Sequence, residues 1–277
     1  MQSELRLRII SGIVLAAIAL GATWAGGTVF QILSVAIALL VYYEWSTVTR
    51  LGERDFQGNA FGWLSQAVIA VLILLDNSNL TLLILAGFTI AAAIWVLIRR
   101  GTWWLPGGIV YAGLTGISLS AIRGDSDIGL LAMIFVFAVV WATDILAYFT
   151  GRAIGGPKLA PRISPGKTWS GAIGGAVSGV IAGVLVFMSH FSLDDVSIPL
   201  LAFVLSVSSQ VGDLFESYIK RRFGVKDSSK LIPGHGGVMD RVDGLVFACF
   251  AALLIALVQV ISAGGQTAPI GAILLGP

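Results

Sequence analysis

The residues best equipped for chemistry crowd into one passage. From Ser217 to Asp243 the chain reads SYIKRRFGVKDSSKLIPGHGGVMDRVD, the only long polar stretch in an otherwise apolar, glycine-rich sequence. Lys220, Arg221, Arg222, Lys226, Lys230 and Arg241 supply positive charge there, and Asp227, Asp240 and Asp243 supply carboxylates. Pro233, Gly234, Gly236 and Gly237 stop a helix from running through it. Cations and carboxylates beside a glycine-rich turn suit a metal-bound polyphosphate.

The elements that must hold this passage are set by composition. Of 277 residues, 57% are hydrophobic and only 12% charged, against about 25% charged in soluble domains. These values predict an all-α, polytopic transmembrane protein. A net charge of +2 is too small to point to nucleic acid. The single cysteine, Cys249, excludes an intramolecular disulfide and a cysteine metal cluster.

A bilayer core needs roughly 20 helical residues to cross it. Apolar runs of about that length fall at 9–25, 28–48, 61–75, 80–98, 104–122, 128–149, 169–189, 198–219 and 238–262, which makes nine spans. The first is read as a retained span and not a cleaved leader, because the apolar run continues past Ala25. Ala25, Gly26 and Gly27 alone separate the first two, which predicts a tight helical hairpin. With the amino terminus in the cytoplasm, 16 of the 17 lysines and arginines fall on the cytoplasmic side and only Arg123 falls outside. The external loops carry Asp76, Asp125, Asp127, Asp194 and Asp195, read as solvated acids. This organisation divides the chain into amino-terminal transmembrane helices, 1–125, and a carboxyl-terminal transmembrane region, 126–277, with cytoplasmic loops at 150–168 and 220–238. Gly171, Gly175, Gly179 and Gly183 recur at every fourth position of the seventh span, a ridge that admits another helix backbone.

Ionisable groups inside spans are costly and point to function. Asp144 lies about one turn from the cytoplasmic end of its span and Asp213 about two turns from the end of its own, while Asp240 opens the ninth span. Asp213, Ser217 and Lys220 share one helical face at i, i+4 and i+7, with Glu216 adjacent; Asp240 and Asp243 share another. Two readings stand. Pairing of Asp213 and Asp240 with Lys220 and Arg241 accounts for one or two acids; three acids at one depth favour a cation among them, and hard oxygen ligands favour Mg2+.

The other basic segment, TGRAIGGPKLAPRISPGKT at 150–168, ends like a Walker A loop, but Pro161 stands where that loop needs glycine. Arg152, Lys158, Arg162 and Lys167 can grip phosphates of a nucleotide or a lipid; for Lys158 and Arg162 a purely topogenic role accounts equally well for the charge. His190 is an incidental loop residue. His235, between two glycines, suits either a turn hydrogen bond or contact with an anion.

At this point the residues carry a family likeness. Ser217, Lys220, Arg221, Lys226, Asp227, Pro233, His235, Gly236, Gly237, Asp240, Arg241 and Asp243, in their spacing, resemble the signature of phosphatidate cytidylyltransferases, also called CDP-diacylglycerol synthases. Thr143, Asp144, Tyr148, Gly151 and Arg152, with Ser164, Pro165, Lys167, Thr168 and Trp169, extend the likeness; Ser170 departs from it where a glutamate is expected. The amino-terminal spans match in character only.

The resemblance implies a multi-pass enzyme of the bacterial inner membrane. It makes CDP-diacylglycerol and pyrophosphate from CTP and phosphatidate, with Mg2+ and room for a second cation, as a homodimer with its active site facing the cytoplasm. In that picture Asp213 and Asp240 hold metal with Asp144 in support. Lys220, Arg221, Lys226 and Arg241 neutralise the triphosphate. Ser217 and the Gly236 and Gly237 amides donate hydrogen bonds, and Asp227 and Asp243 either orient the cations or replace one of the metal ligands. Arg152, Ser164, Lys167 and Thr168 bind substrate, and His235 counts among the catalytic residues. Rival readings keep the nucleotide and change the lipid, as a CTP-dependent polyprenol kinase or a cytidylyltransferase for another lipid phosphate; a third, an ion-coupled transporter, fits poorly with acids gathered on one side.

Overall fold

A computed structural model describes residues 2–193, 196–262, 264 and 268–276. The expected loop acids Asp194 and Asp195, and Gly265 of the tail, lie outside these residues. The elements in chain order are α1 (Gln2–Ala25), α2 (Gly27–Val48), α3 (Leu51–Arg54), α4 (Phe56–Leu74), α5 (Ser78–Arg99), α6 (Trp104–Arg123), α7 (Asp127–Ile154), β1 (Lys158–Ala160), β2 (Ser164–Thr168), α8 (Trp169–Met188), α9 (Ser197–Arg222), α10 (Met239–Ser262) and α11 (Ile270–Leu275). Among the described residues eight helices have the length and hydropathy to cross a bilayer, and the apolar part of α1, Ile9–Ala25, is a shorter ninth. The chain is a polytopic, all-α membrane protein.

Helix starts follow local chemistry. Asp55, Asn77, Ser126 and Thr168 each accept a hydrogen bond from the backbone N–H three residues on, capping α4, α5, α7 and α8. The Asp55 cap moves the start of the third span from the expected 61 back to Phe56. Gly26, at φ 63, makes the break between α1 and α2. The segment expected as an open loop at 150–168 is partly ordered: α7 runs on to Ile154, and β1 and β2 pair antiparallel with Lys158 opposite Thr168.

By internal contacts the chain forms two compact units, Met1–Ser120 with Arg222–Arg241, and Ala121–Arg221 with Val242–Pro277. Of the polar passage, Arg222–Arg241 groups with the amino-terminal helices, while its two ends, 217–221 and 242–243, stay with the carboxyl-terminal unit. Sequence position misleads here because that passage folds back onto residues of α1, α2 and α6.

In the second unit α8 lies against α7 through its glycines. A Cβ on Gly175 would stand 2.8 Å from the Thr143 carbonyl oxygen and 2.9 Å from the Ala147 Cβ, and one on Gly183 2.8 Å from a Val139 methyl. The opposite face, Ile173, Val177, Ile181 and Leu185, is exposed and apolar, as a lipid-facing stripe must be. Thr143, buried on α7, lies 2.7 Å from the Ser206 hydroxyl of α9, so a polar pair adds to small-residue packing. After α10 the helix ends at Ser262, Gly264 adopts φ 75, and α11 returns against α7 with Gly271 over Gly129.

Candidate active site

In the first unit the passage 223–240 is pinned to the amino-terminal helices. The Phe223 ring meets Trp104 edge-on at 5.1 Å between centroids, beneath the Arg54 guanidinium. The decisive anchor is Glu44 of α2, which has no exposed surface. A carboxylate in that position is costly to desolvate unless donors surround it, and four do. Its Oε1 accepts from the Ser229 hydroxyl at 2.6 Å and the Val238 N–H at 2.8 Å. Its Oε2 accepts from the Ser228 hydroxyl at 2.9 Å and the Met239 N–H at 2.6 Å.

Asp240, in the first turn of α10, closes the same structure. Its Oδ2 accepts from the Ser228 N–H at 2.8 Å, the Gly237 N–H at 2.8 Å and the Ser228 hydroxyl at 2.9 Å. A Cβ on Gly237 would collide with the Ser228 hydroxyl and with Glu44, so only glycine fits there. Gly236, at φ 82, accepts from the Ile232 N–H at 2.8 Å and bends the turn. The His235 ring Nδ1 lies 2.7 Å from the Ser11 hydroxyl of α1, which is also 3.1 Å from the Pro233 carbonyl. Arg221, Lys226, Asp227, Lys230 and Arg241 are exposed.

In the second unit Asp213 of α9 forms an ion pair with Lys167 of β2. The Ser217 hydroxyl lies 3.4 Å from Asp213 Oδ1, one helical turn on, as the i, i+4 spacing predicts. Lys220 pairs with Glu216 at 2.7 Å, and Glu216 is 1% exposed. Asp243 accepts from the Gly244 N–H at 2.8 Å and lies within electrostatic range of Asp213, Asp144 and Lys220. Gly212 makes this approach possible: its Cβ would stand 2.5 Å from the Asp243 carbonyl oxygen and 2.8 Å from the Phe247 Cβ. Four carboxylates, Asp144, Asp213, Glu216 and Asp243, and two lysines, Lys167 and Lys220, thus share one locality. The simple pairing of Asp213 with Lys220 is replaced by Asp213 with Lys167 and Lys220 with Glu216.

The remaining expected residues take local roles. Thr168 is the cap of α8 and is buried, its hydroxyl 3.0 Å from Ser170, which also bonds the Gly155 carbonyl. Arg152 donates to the Tyr148 hydroxyl at 2.8 Å, and Ser164 pairs with Ala160 across the hairpin. Among the described residues no set of three or more His, Cys, Asp or Glu side chains is arranged to hold a metal ion. An apolar cavity of about 580 Å³ lined by Phe187, Leu201, Val204, Ile255 and Leu274 contains none of the expected site residues.

Sequence reading places Glu216 beside Lys220 without pairing the two, and does not single out Ser11, Glu44, Ser228 or Ser229. Glu44 carried a usable signal, a carboxylate inside the apolar run 28–48, which the cost of burying charge marks out.

The profile of the Cytidylyltransferase family matches residues 6–260. The chain belongs to that family. Its relatives include a phosphatidate cytidylyltransferase of Brucella abortus biovar 1 (strain 9-941), 49% identical over 255 residues, covering 91% of this chain and 92% of the relative. Proteins of the same description from Pseudomonas aeruginosa and Haemophilus influenzae are 37% identical over 270 residues and 35% over 280 residues. These cover 90% and 88% of this chain, and 97% and 96% of the relatives. As a member of the cytidylyltransferase family the protein is a membrane enzyme that transfers a nucleotidyl group.

Proposed function

We propose that this protein transfers the cytidylyl group of CTP to phosphatidate, yielding CDP-diacylglycerol and pyrophosphate for phospholipid synthesis. The observation that carries the reading is the Asp213–Lys167 pair beside Asp243, Asp144 and Lys220, in a chain alike over most of its length to phosphatidate cytidylyltransferases. Carboxylates that repel one another are useful around a cation, and lysines among them are useful to phosphate oxygens.

An oxygen of the lipid phosphate attacks the α-phosphorus of CTP in line; that P–O bond forms as the bond to the β-phosphate oxygen breaks, and pyrophosphate leaves with the electron pair. No protein nucleophile is required, because the phosphate monoester is itself anionic. Lys167 and Lys220 stabilise charge on the transferring and departing phosphates, and Ser217 beside Asp213 offers a hydroxyl donor. Arg221, an exposed cation next to Lys220, is available to the triphosphate.

Asp213, Asp144 and Asp243 carry hard oxygen donors of the kind Mg2+ takes, without being grouped as a ready-made site. The lack of a ready-made cage is what this ion tolerates, since it is commonly held by one or two carboxylates together with substrate phosphates. When bound, Mg2+ supplies charge neutralisation of the nucleotide phosphates. Asp240, the other expected ligand, has its Oδ2 engaged by three donors of the passage that follows Phe223, so the weight of the metal role shifts to Asp213. A second cation remains part of the proposal. Segregation of 16 of 17 basic residues supports a cytoplasmic amino terminus and site in a bacterial inner membrane, and the family likeness supports a homodimer.

CTP labelled at the α-phosphorus tests the reaction. Label passing to lipid in the presence of phosphatidate supports transfer; no label in lipid from this CTP, with label in lipid from CTP labelled at the γ-phosphorus, identifies a kinase.

A further inference from the structure

We infer that Glu44 is the positioning residue that gives the Ser228–Arg241 passage its working shape, acting through Ser228 on Asp240. The inference rests on the nucleotide-transfer reading above but on separate observations. Glu44 is fully buried, contributed by α2 from nearly two hundred positions away in sequence, and it gathers four donors from two ends of the passage, Ser228 and Ser229 at one end and Val238 and Met239 at the other. Drawing both ends to one carboxylate closes the intervening turn into a loop.

The chemistry of the anchor demands a carboxylate. All four partners donate through N–H or O–H groups, so an acceptor with two charged oxygens satisfies each without turning a donor toward another donor. A glutamine in its place keeps the size but directs an NH2 group at two of them. Ser228 then links the anchor to Asp240: its oxygen is 2.9 Å from Glu44 Oε2 and 2.9 Å from Asp240 Oδ2, and its backbone N–H donates to Asp240 at 2.8 Å. The single hydroxyl proton serves one carboxylate at a time, so the position of Asp240 depends on what Glu44 holds. Gly237, which admits no side chain between Glu44 and Ser228, keeps that contact direct. Asp240, Arg241 and His235, all tied to this closed loop, are thereby presented by a carboxylate that lies outside the polar passage.

The test compares wild type with Glu44→Gln and Glu44→Asp, purified as full chains in detergent micelles. Two quantities are read: the kinetics of CDP-lipid formation from CTP and phosphatidate, and amide hydrogen exchange over residues 226–241. The expected result for Glu44→Gln is a loss of about 100-fold in kcat, the scale of a misplaced catalytic group, with a much smaller change in KM for CTP. The amides of Ser228, Gly237, Val238 and Met239 exchange faster, and Glu44→Asp, which keeps the charge, restores part of both. Should Glu44→Gln fail to fold, Glu44→Asp decides by the same two readings. Wild-type kcat in the variants overturns the inference, as does lost kcat with unchanged exchange, which would make Glu44 a chemical and not a positioning group. If wild type itself makes no CDP-lipid, the nucleotide-transfer reading fails, and the exchange measurement alone decides whether Glu44 closes the loop.

Discussion

Lys167 and Asp213 form an ion pair that joins the basic hairpin to α9. Its partners come from segments that hydropathy treats in opposite ways, one an interfacial hairpin and one a spanning helix. About a third of the Asp213 side chain and a quarter of the Lys167 side chain are solvent-exposed, which limits what the pair adds to stability.

Lys167→Ala and Asp213→Asn therefore separate function from folding. Each is expected to lower the rate of CDP-lipid formation about 100-fold, as loss of one charge-stabilising group does, while changing unfolding free energy by about 1 kcal/mol or less. Thermal unfolding in detergent alongside turnover checks this, and the double variant should lose far less than the two single losses multiplied.

Two glycines of one passage should behave differently. Gly237→Ala drives a methyl into Ser228 and Glu44 and is expected to cost about 1–3 kcal/mol, with turnover lost. At Gly224, φ is 70 and nothing lies within 4 Å of an added Cβ, so Gly224→Ala pays only the left-handed backbone penalty, about 1–2 kcal/mol, and retains turnover. Stability and rate measured on both variants give the comparison.

The glycine ridge of α8 makes a packing prediction. Gly175→Leu meets the α7 backbone and is expected to destabilise the fold by about 1–3 kcal/mol or more. Gly87→Ala on α5, with open space around its Cβ, is expected to be neutral or stabilising by up to about 1 kcal/mol through helix propensity. Thermal unfolding of both in the same detergent tests this.

Chelation offers a fourth expectation. Removal of divalent ions should abolish turnover, Mg2+ should restore it, and Asp213→Asn should need a higher Mg2+ concentration for half-maximal rate, because a neutral amide binds a hard cation less well. A titration of rate against Mg2+ for both proteins shows it.

The nine apolar runs were readable because crossing a bilayer fixes a length, and the glycine spacing of α8 was readable because period four is a helical face. Helix ends were less so: the third span starts early because the Asp55 side chain caps it, a local bond that hydropathy does not register. The pair Lys167 with Asp213 was invisible, since spacing along α9 favours Lys220, and only tertiary structure brings β2 alongside. Glu44 does not stand out in the sequence because charge is densest in 217–243, whereas the residue that holds this passage is a solitary acid far upstream. His235 and Gly237 were recognised as important by type, but their partners, Ser11 and Asp240, depend on how the turn closes.

The central claim is tested most directly by incubating purified protein with CTP, phosphatidate and Mg2+ and quantifying CDP-diacylglycerol and pyrophosphate together. Transfer predicts the two products in equal amounts, both absent when phosphatidate is withheld. Release of CDP with a phosphorylated lipid, or no lipid product at all, contradicts it.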